Sequence, residues 1–464
     1  MNRLAIAGCI LFAGLQCTAQ LIDRTLAPNP INEGIAKSLA EQIGAGRGDW
    51  STPNSSSYLI SRDPFRAIRR GRQIFQRKFQ HLDGAEKTFY ARDGSGDLEK
   101  NLGIGAGLAD SCSTCHGRPR GSAGFGGDVV TRPDSRDAPH LFGLGLKEML
   151  ADEITAELRD RRNQAIAEAR TTGVAVTRPL SAKGVQFGSI TVKPDETVDT
   201  SKIEGVAADL RVRPLFAHGG TVSIREFING AMNNEMGFQC WDPELTQAVE
   251  KKGRLTTIGG LALDAAIDSL ESPPEPDPTK VPTGQIPRNQ MATAIVDYLE
   301  FYLLNYFKPG LYEQTEGVRR GRQTFDRIGC VSCHIADLQV DRDRRVADVE
   351  TVYDPERGHF NHLFATATPL FNTIDQRDGH PALKTPKLGA FLVKNIFTDF
   401  KLHDLGPNFH ERNYDGSLQK KFLTAALWGV GTTPPYGHDG RSSNLTEVIL
   451  RHGGESQASR DAFA

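Results

Sequence analysis

The pattern C-x-x-C-H occurs twice in this chain, as CSTCH at residues 112–116 and CVSCH at residues 330–334. Each copy follows the string RRGRQ, at residues 69–73 and 319–323, and each RRGRQ has a phenylalanine two positions on, Phe75 and Phe325. A chain that repeats both a preamble and an ending is built from two related units.

Two thiols three residues apart share one helical face, and the adjacent histidine lies beneath whatever they hold. C-x-x-C-H is the covalent attachment pattern of c-type haem. The thiols bond two vinyl-derived carbons of one macrocycle, and the histidine is the proximal ligand of the iron. A zinc site would need four converging ligands, and these pairs lie in separate units. A redox dithiol has no use for the histidine. The spacing therefore predicts two covalently bound haem c groups, on Cys112 and Cys115 with His116, and on Cys330 and Cys333 with His334.

The repetition runs further. HLFGLG (140–145) is similar to ALWGVG (426–431), and AHGGTVSIREFI (217–228) to GHDGRSSNLTEVI (437–449). The expected fold is mainly α: two cytochrome c-like domains in tandem, with long Gly- and Pro-rich loops and an insertion at 76–111 in the first. Helices are predicted over 63–79, 146–171, 223–232, 291–307 and 315–325. In each unit the preamble is the first helix, whose glycine and aromatic residue pack against a later helix beside the haem pocket. The apolar stretch 291–307 is interrupted by Asp297 and Glu300 and reads as a buried amphipathic helix closing the first domain. The boundary is expected near Lys308-Pro309-Gly310, giving domains 63–310 and 311–464. No counterpart of the closing helix follows His452: either the sequence is truncated or the second domain packs without that helix, which would expose apolar surface.

The N-terminus reads as an export signal over residues 1–19. A basic start at Arg3 precedes an apolar run from Leu4 to Leu15 and a small-x-small cleavage pattern at Cys17-Thr18-Ala19. An extension, 20–62, follows. Of seven cysteines, Cys9 and Cys17 leave with the signal and Cys240 stands alone. The mature protein is expected to be periplasmic, with no membrane span. Lys+Arg (55) nearly balances Asp+Glu (57), for a net charge of −2, which argues against a nucleic-acid partner.

From Asp63 onward the chain resembles the bacterial di-haem cytochrome c peroxidase superfamily, and within it the di-haem oxidoreductase branch. The resemblance rests on the two C-x-x-C-H sites and on LHDLG (402–406), YGHDGR (436–441) and RHGGE (451–455). It implies an oxidoreductase in which hydrogen peroxide or dioxygen reacts at an open-site haem 1, with electrons passing through haem 2 from a small cytochrome or cupredoxin. In the peroxidases a methionine supplies the sixth ligand of the second haem. Here the corresponding place holds His452, so bis-histidine ligation by His334 and His452 is expected, with a potential lower than methionine would give. In the first unit that place holds Ala231, which cannot bind iron. Met232 and His140 are the alternatives that would fill it.

The resemblance also places Glu235, in NNEMG, over the open haem face as acid and base. Ala217 stands where the family has a tryptophan relay, with Phe216, Trp241 and Trp428 as substitutes. Phe227 replaces a glutamine and makes the distal pocket more apolar. A calcium between the domains would be held by Asp137 and the carbonyls of Thr433 and Pro435. His218 and His438 read as loop braces, and His403 has no role that sequence alone assigns. Two other functions stay open: a non-catalytic electron carrier with both irons six-coordinate, and an oxygenase acting on an apolar substrate.

Overall fold

The computed structural model describes residues 35, 37–79, 111–116, 138–236, 238, 241–250, 253–270, 291–306, 308–309, 314–353, 363–413 and 415–464. The signal segment, Cys240, Asp137 and most of the 76–111 insertion lie outside the described residues. Among those described, no helix is long and apolar enough to cross a membrane.

The helical expectations meet helices at Pro64–Gln76, Leu144–Thr172, Ile224–Asn234, Thr293–Leu304 and Glu316–Arg327. Their starts follow from the sequence. Asp63 caps Pro64–Gln76, with proline in its first turn. Ser223 and Thr315 cap two others, each side chain accepting from the backbone three residues on.

The expected mainly-α class is wrong. Strands run through the chain in seven small sheets among the described residues. One hairpin pairs Val176–Ala182 with Val185–Val192 and turns at Lys183-Gly184. Both turn residues have positive φ, +50° and +82°, and a tight two-residue hairpin needs such a pair. The hairpin buries Leu180, Phe187, Ile190 and Val192. In the second half the segments expected as loops pair into two- to seven-residue ladders, such as Leu402–Asp404 with Lys421–Leu423 and Ala347–Tyr353 with Leu363–Pro369. The ladders of two to four residues have too few alternating positions to stand out in sequence. At the expected boundary, Lys308–Pro309 pairs in parallel with Glu350 and Thr351.

The helix Thr293–Leu304 is not amphipathic. Every residue from Ala294 to Leu304 is buried, Asp297 and Glu300 included. The preamble helix crosses it at Gly71. A β-carbon there would stand 2.1 Å from the Tyr298 carbonyl oxygen and 2.4 Å from the Tyr302 β-carbon. Phe75 packs edge-on to Tyr302, with centroids 5.7 Å apart. The second preamble helix, Glu316–Arg327, has no buried residue, and nothing lies within 4 Å of a β-carbon placed on Gly321. Gly71→Ala is therefore expected to cost about 1–3 kcal/mol by overpacking. Gly321→Ala should instead gain about 0.5–1 kcal/mol of helix propensity. Chemical denaturation followed by circular dichroism separates the two, and equal effects would contradict this packing.

The two similar hexapeptides meet each other. Gly143 admits the ring of Trp428, 2.2 Å from where its β-carbon would be, and Gly429 admits the ring of Phe142 at 2.7 Å. Both glycines have left-handed φ, +63° and +67°. One apolar core continues across this seam, from Leu150 and Ile154 to Val340, Ile396 and Phe400.

Candidate haem-ligand site

The two C-x-x-C-H segments are short turns of helix, Cys112–His116 and, in 3-10 form, Cys330–Ser332. Cys112, Cys330 and Cys333 are half-buried and form no disulfide.

The histidines sort by what their ring nitrogens do. His116 Nδ1 lies 2.9 Å from the carbonyl oxygen of Pro139. His334 Nδ1 lies 2.8 Å from that of Phe397, and His452 Nδ1 2.7 Å from that of Val448. A carbonyl can only accept, so each Nδ1 carries the proton and Nε2 keeps its lone pair. That is the tautomer and orientation a metal-bound histidine adopts. Burial pushes all three below the ordinary histidine range, with the carbonyl hydrogen bonds working the other way. A neutral ring is what iron ligation needs. His452 also lies close enough to His334 to act on it electrostatically.

The other histidines differ. His140 Nδ1 accepts from the backbone N–H of Phe142 at 3.3 Å, which leaves the proton on Nε2. Burial, with Lys147 nearby, pushes its pKa down to about 3. In this tautomer it has no lone pair to offer iron. His438 Nε2 pairs with Glu411 at 3.1 Å, and its ring stacks on Phe422 at 4.1 Å. His410 Nε2 pairs with Asp404 at 2.7 Å.

The carbonyl that orients His334 sits in a strained loop. Asn395, Phe397 and Phe400 all have φ between +55° and +59°, a region costly for residues with a side chain. The loop is held to the residues just after the haem motif. Ile396 N–H donates to Ala336 O at 2.7 Å, and Thr398 N–H to Ile335 O at 3.0 Å. Phe325 of the second preamble packs against both His334 and Phe397, at 6.0 and 5.6 Å. Phe409 packs edge-on to His452 at 5.2 Å.

In the first half, Ala231 and Met232 end the helix Ile224–Asn234, and Met232 is buried in the core. Glu235 caps that helix, donating its N–H to Ala231 O at 2.9 Å, and is half-buried. Phe227 packs on Phe216 at 5.1 Å. Of the expected calcium ligands, Asp137 is outside the described residues. Thr433 is buried, and its hydroxyl donates to Gly429 O at 3.1 Å. Pro435 follows a cis bond.

Sequence reasoning missed a buried ionic cluster under the same helix. Arg225 is fully buried and meets four carboxylates: Asp242 at 2.6 Å, Glu244 at 2.7 Å, Asp297 at 3.0 Å and Glu300 at 2.7 Å. Arg47 joins Glu244, Ser56 donates to Asp297, and Thr257 donates to Glu300. Burial pushes Glu244 up to about 7 and also raises Glu300, against the pull of Arg225. The available signal was two acids three residues apart in an apolar run. In the preamble, Arg70 is also buried, bonded to Gln42 O, Tyr298 Oη and Asn54 rather than free at the surface.

Residues 337–464 match the family model described as "Di-haem oxidoreductase, putative peroxidase". The matched segment begins three residues after His334 and contains the strained loop, LHDLG and His452. Its description speaks of two haems, and the chain carries two C-x-x-C-H motifs. No curated protein and no solved structure gives a significant match to the chain.

Proposed function

We propose that this protein is an exported, periplasmic di-haem c-type oxidoreductase of peroxidase-like activity. Cys112 and Cys115 would hold one haem above His116, and Cys330 and Cys333 the other above His334. The observation that carries the reading is an asymmetry between the halves. His452 lies within electrostatic reach of His334 and holds its Nδ1 on a carbonyl, which leaves the Nε2 lone pair for a ligand, whereas the matching place in the first half is Ala231.

When bound, the haem of the first half supplies the redox centre at which hydrogen peroxide is reduced. The chain supplies the proton handling. The Glu235 carboxylate takes the proton from one peroxide oxygen and returns it to the other as the O–O bond breaks. Each turnover consumes two electrons and two protons and yields two waters. The second haem, which Cys330, Cys333 and His334 would hold, would supply the entry point for electrons from a small cytochrome or cupredoxin. The Phe216–Phe227 contact favours a second reading, in which dioxygen reacts with an apolar substrate at the same place.

Low-temperature EPR of the oxidised protein tests the asymmetry. One high-spin and one low-spin ferric signal are expected, with the high-spin signal responding to peroxide. Two low-spin signals with no response would return the protein to the electron-carrier class.

A further inference from the structure

We propose that His403 is a positioning residue that holds the two axial histidines of the second haem in register. The inference rests on the reading that His334 and His452 both ligate that iron, and it assigns a role to a histidine that does not.

His403 bridges two carboxylates. Its Nε2 lies 2.8 Å from Asp399 Oδ2 and its Nδ1 2.6 Å from Glu455 Oε2. A carboxylate can only accept, so both nitrogens donate and neither is left for iron. Asp399 sits two residues after Phe397, whose carbonyl orients His334. Glu455 sits three residues after His452. The imidazolium thus ties the segment behind one axial ligand to the segment behind the other.

The backbone around it is shaped for this link. Glu455 Oε1 accepts the Asp404 N–H at 2.9 Å, and Gly453 donates its N–H to Leu405 O at 2.9 Å. Gly454 has φ +51°, and a β-carbon on it would lie 2.2 Å from Asp404 O. The 453–455 segment is therefore laid directly on the strand that carries His403. Cys333 Sγ lies within 4.8 Å of the His403 and Asp399 ligand atoms, so the bridge passes beside the haem attachment itself. Without the imidazolium nothing ties Glu455 to Asp399, and the 452–455 segment is free to shift and take His452 away from the iron.

The test compares ferric EPR and optical spectra of five holoproteins: wild type, His452→Ala, His403→Ala, Glu455→Ala and the double variant His403→Ala/Glu455→Ala. His452→Ala reports on the ligation reading. It should convert the low-spin second haem to high spin. His403→Ala and Glu455→Ala should lose the same low-spin signal although His452 is present, and added imidazole should restore it. The double variant should look like either single one, because one bridge is broken in each. Glu455 is half-exposed, so its variant carries the test if His403→Ala does not fold. If His403→Ala and Glu455→Ala keep wild-type g-values while His452→Ala does not, the positioning role is wrong and the ligation reading stands. A low-spin second haem in His452→Ala would overturn both.

Discussion

Arg225→Met should remove about 3–5 kcal/mol of stability at neutral pH, because it leaves buried carboxylates without their cation. The guanidinium is the shared partner of Asp242, Glu244, Asp297 and Glu300, which come from two segments of chain. Its loss would loosen the helix that carries Ala231 and Glu235 at its far end. The cost should depend on pH. Glu244 is raised to about 7 and Glu300 is raised as well, so the folded state holds protons that the unfolded chain releases near about pH 4.3. Their contribution is fully present below that value and is lost as pH rises through about 7. With Arg225 gone the carboxylates hold protons more tightly still, so the variant should lose less at about pH 5 than at about pH 8. Urea denaturation at both values measures this, and a cost independent of pH would contradict the cluster's electrostatics.

Glu235→Gln should lower peroxide turnover about 10²–10⁴-fold, the usual worth of a positioned general acid and base. The amide keeps the size of the side chain but cannot take a proton. The residue ends the helix Ile224–Asn234, where its N–H still completes the last turn onto Ala231 O, so the backbone has no reason to move. Haem content and the ferric spectra should match wild type. Steady-state turnover with hydrogen peroxide decides the matter, and an unchanged rate would remove Glu235 from the chemistry.

Legibility from sequence followed the length over which a signal is written. The helices announced themselves through repeated preambles and capping residues such as Ser223 and Thr315, and the haem motifs through five contiguous residues. The expectation for His452 came from the family resemblance, counted along from the H-D-G string, and the repeat carried the same place to Ala231. The strands escaped notice because most ladders are two to four residues long. The two longer ladders, Val176–Ala182 with Val185–Val192 and Ala347–Tyr353 with Leu363–Pro369, were missed as well. Arg225 and His403 were hidden for another reason. Each acts through partners distant in sequence: Arg225 reaches Glu300, and His403 reaches Glu455. No window of sequence holds both ends of such a bond. Asp297 and Glu300 looked like interruptions of a buried face because a buried acid makes sense only once its cation is known.

The paired notches at Gly143 and Gly429 leave no slack between the halves, since each is filled by the other half's aromatic ring. Under the proposed function, electrons passing between the halves would cross this seam, and its width is set by one missing methyl group on either side. A β-carbon at either notch would act as a wedge that moves the halves apart and would slow such transfer.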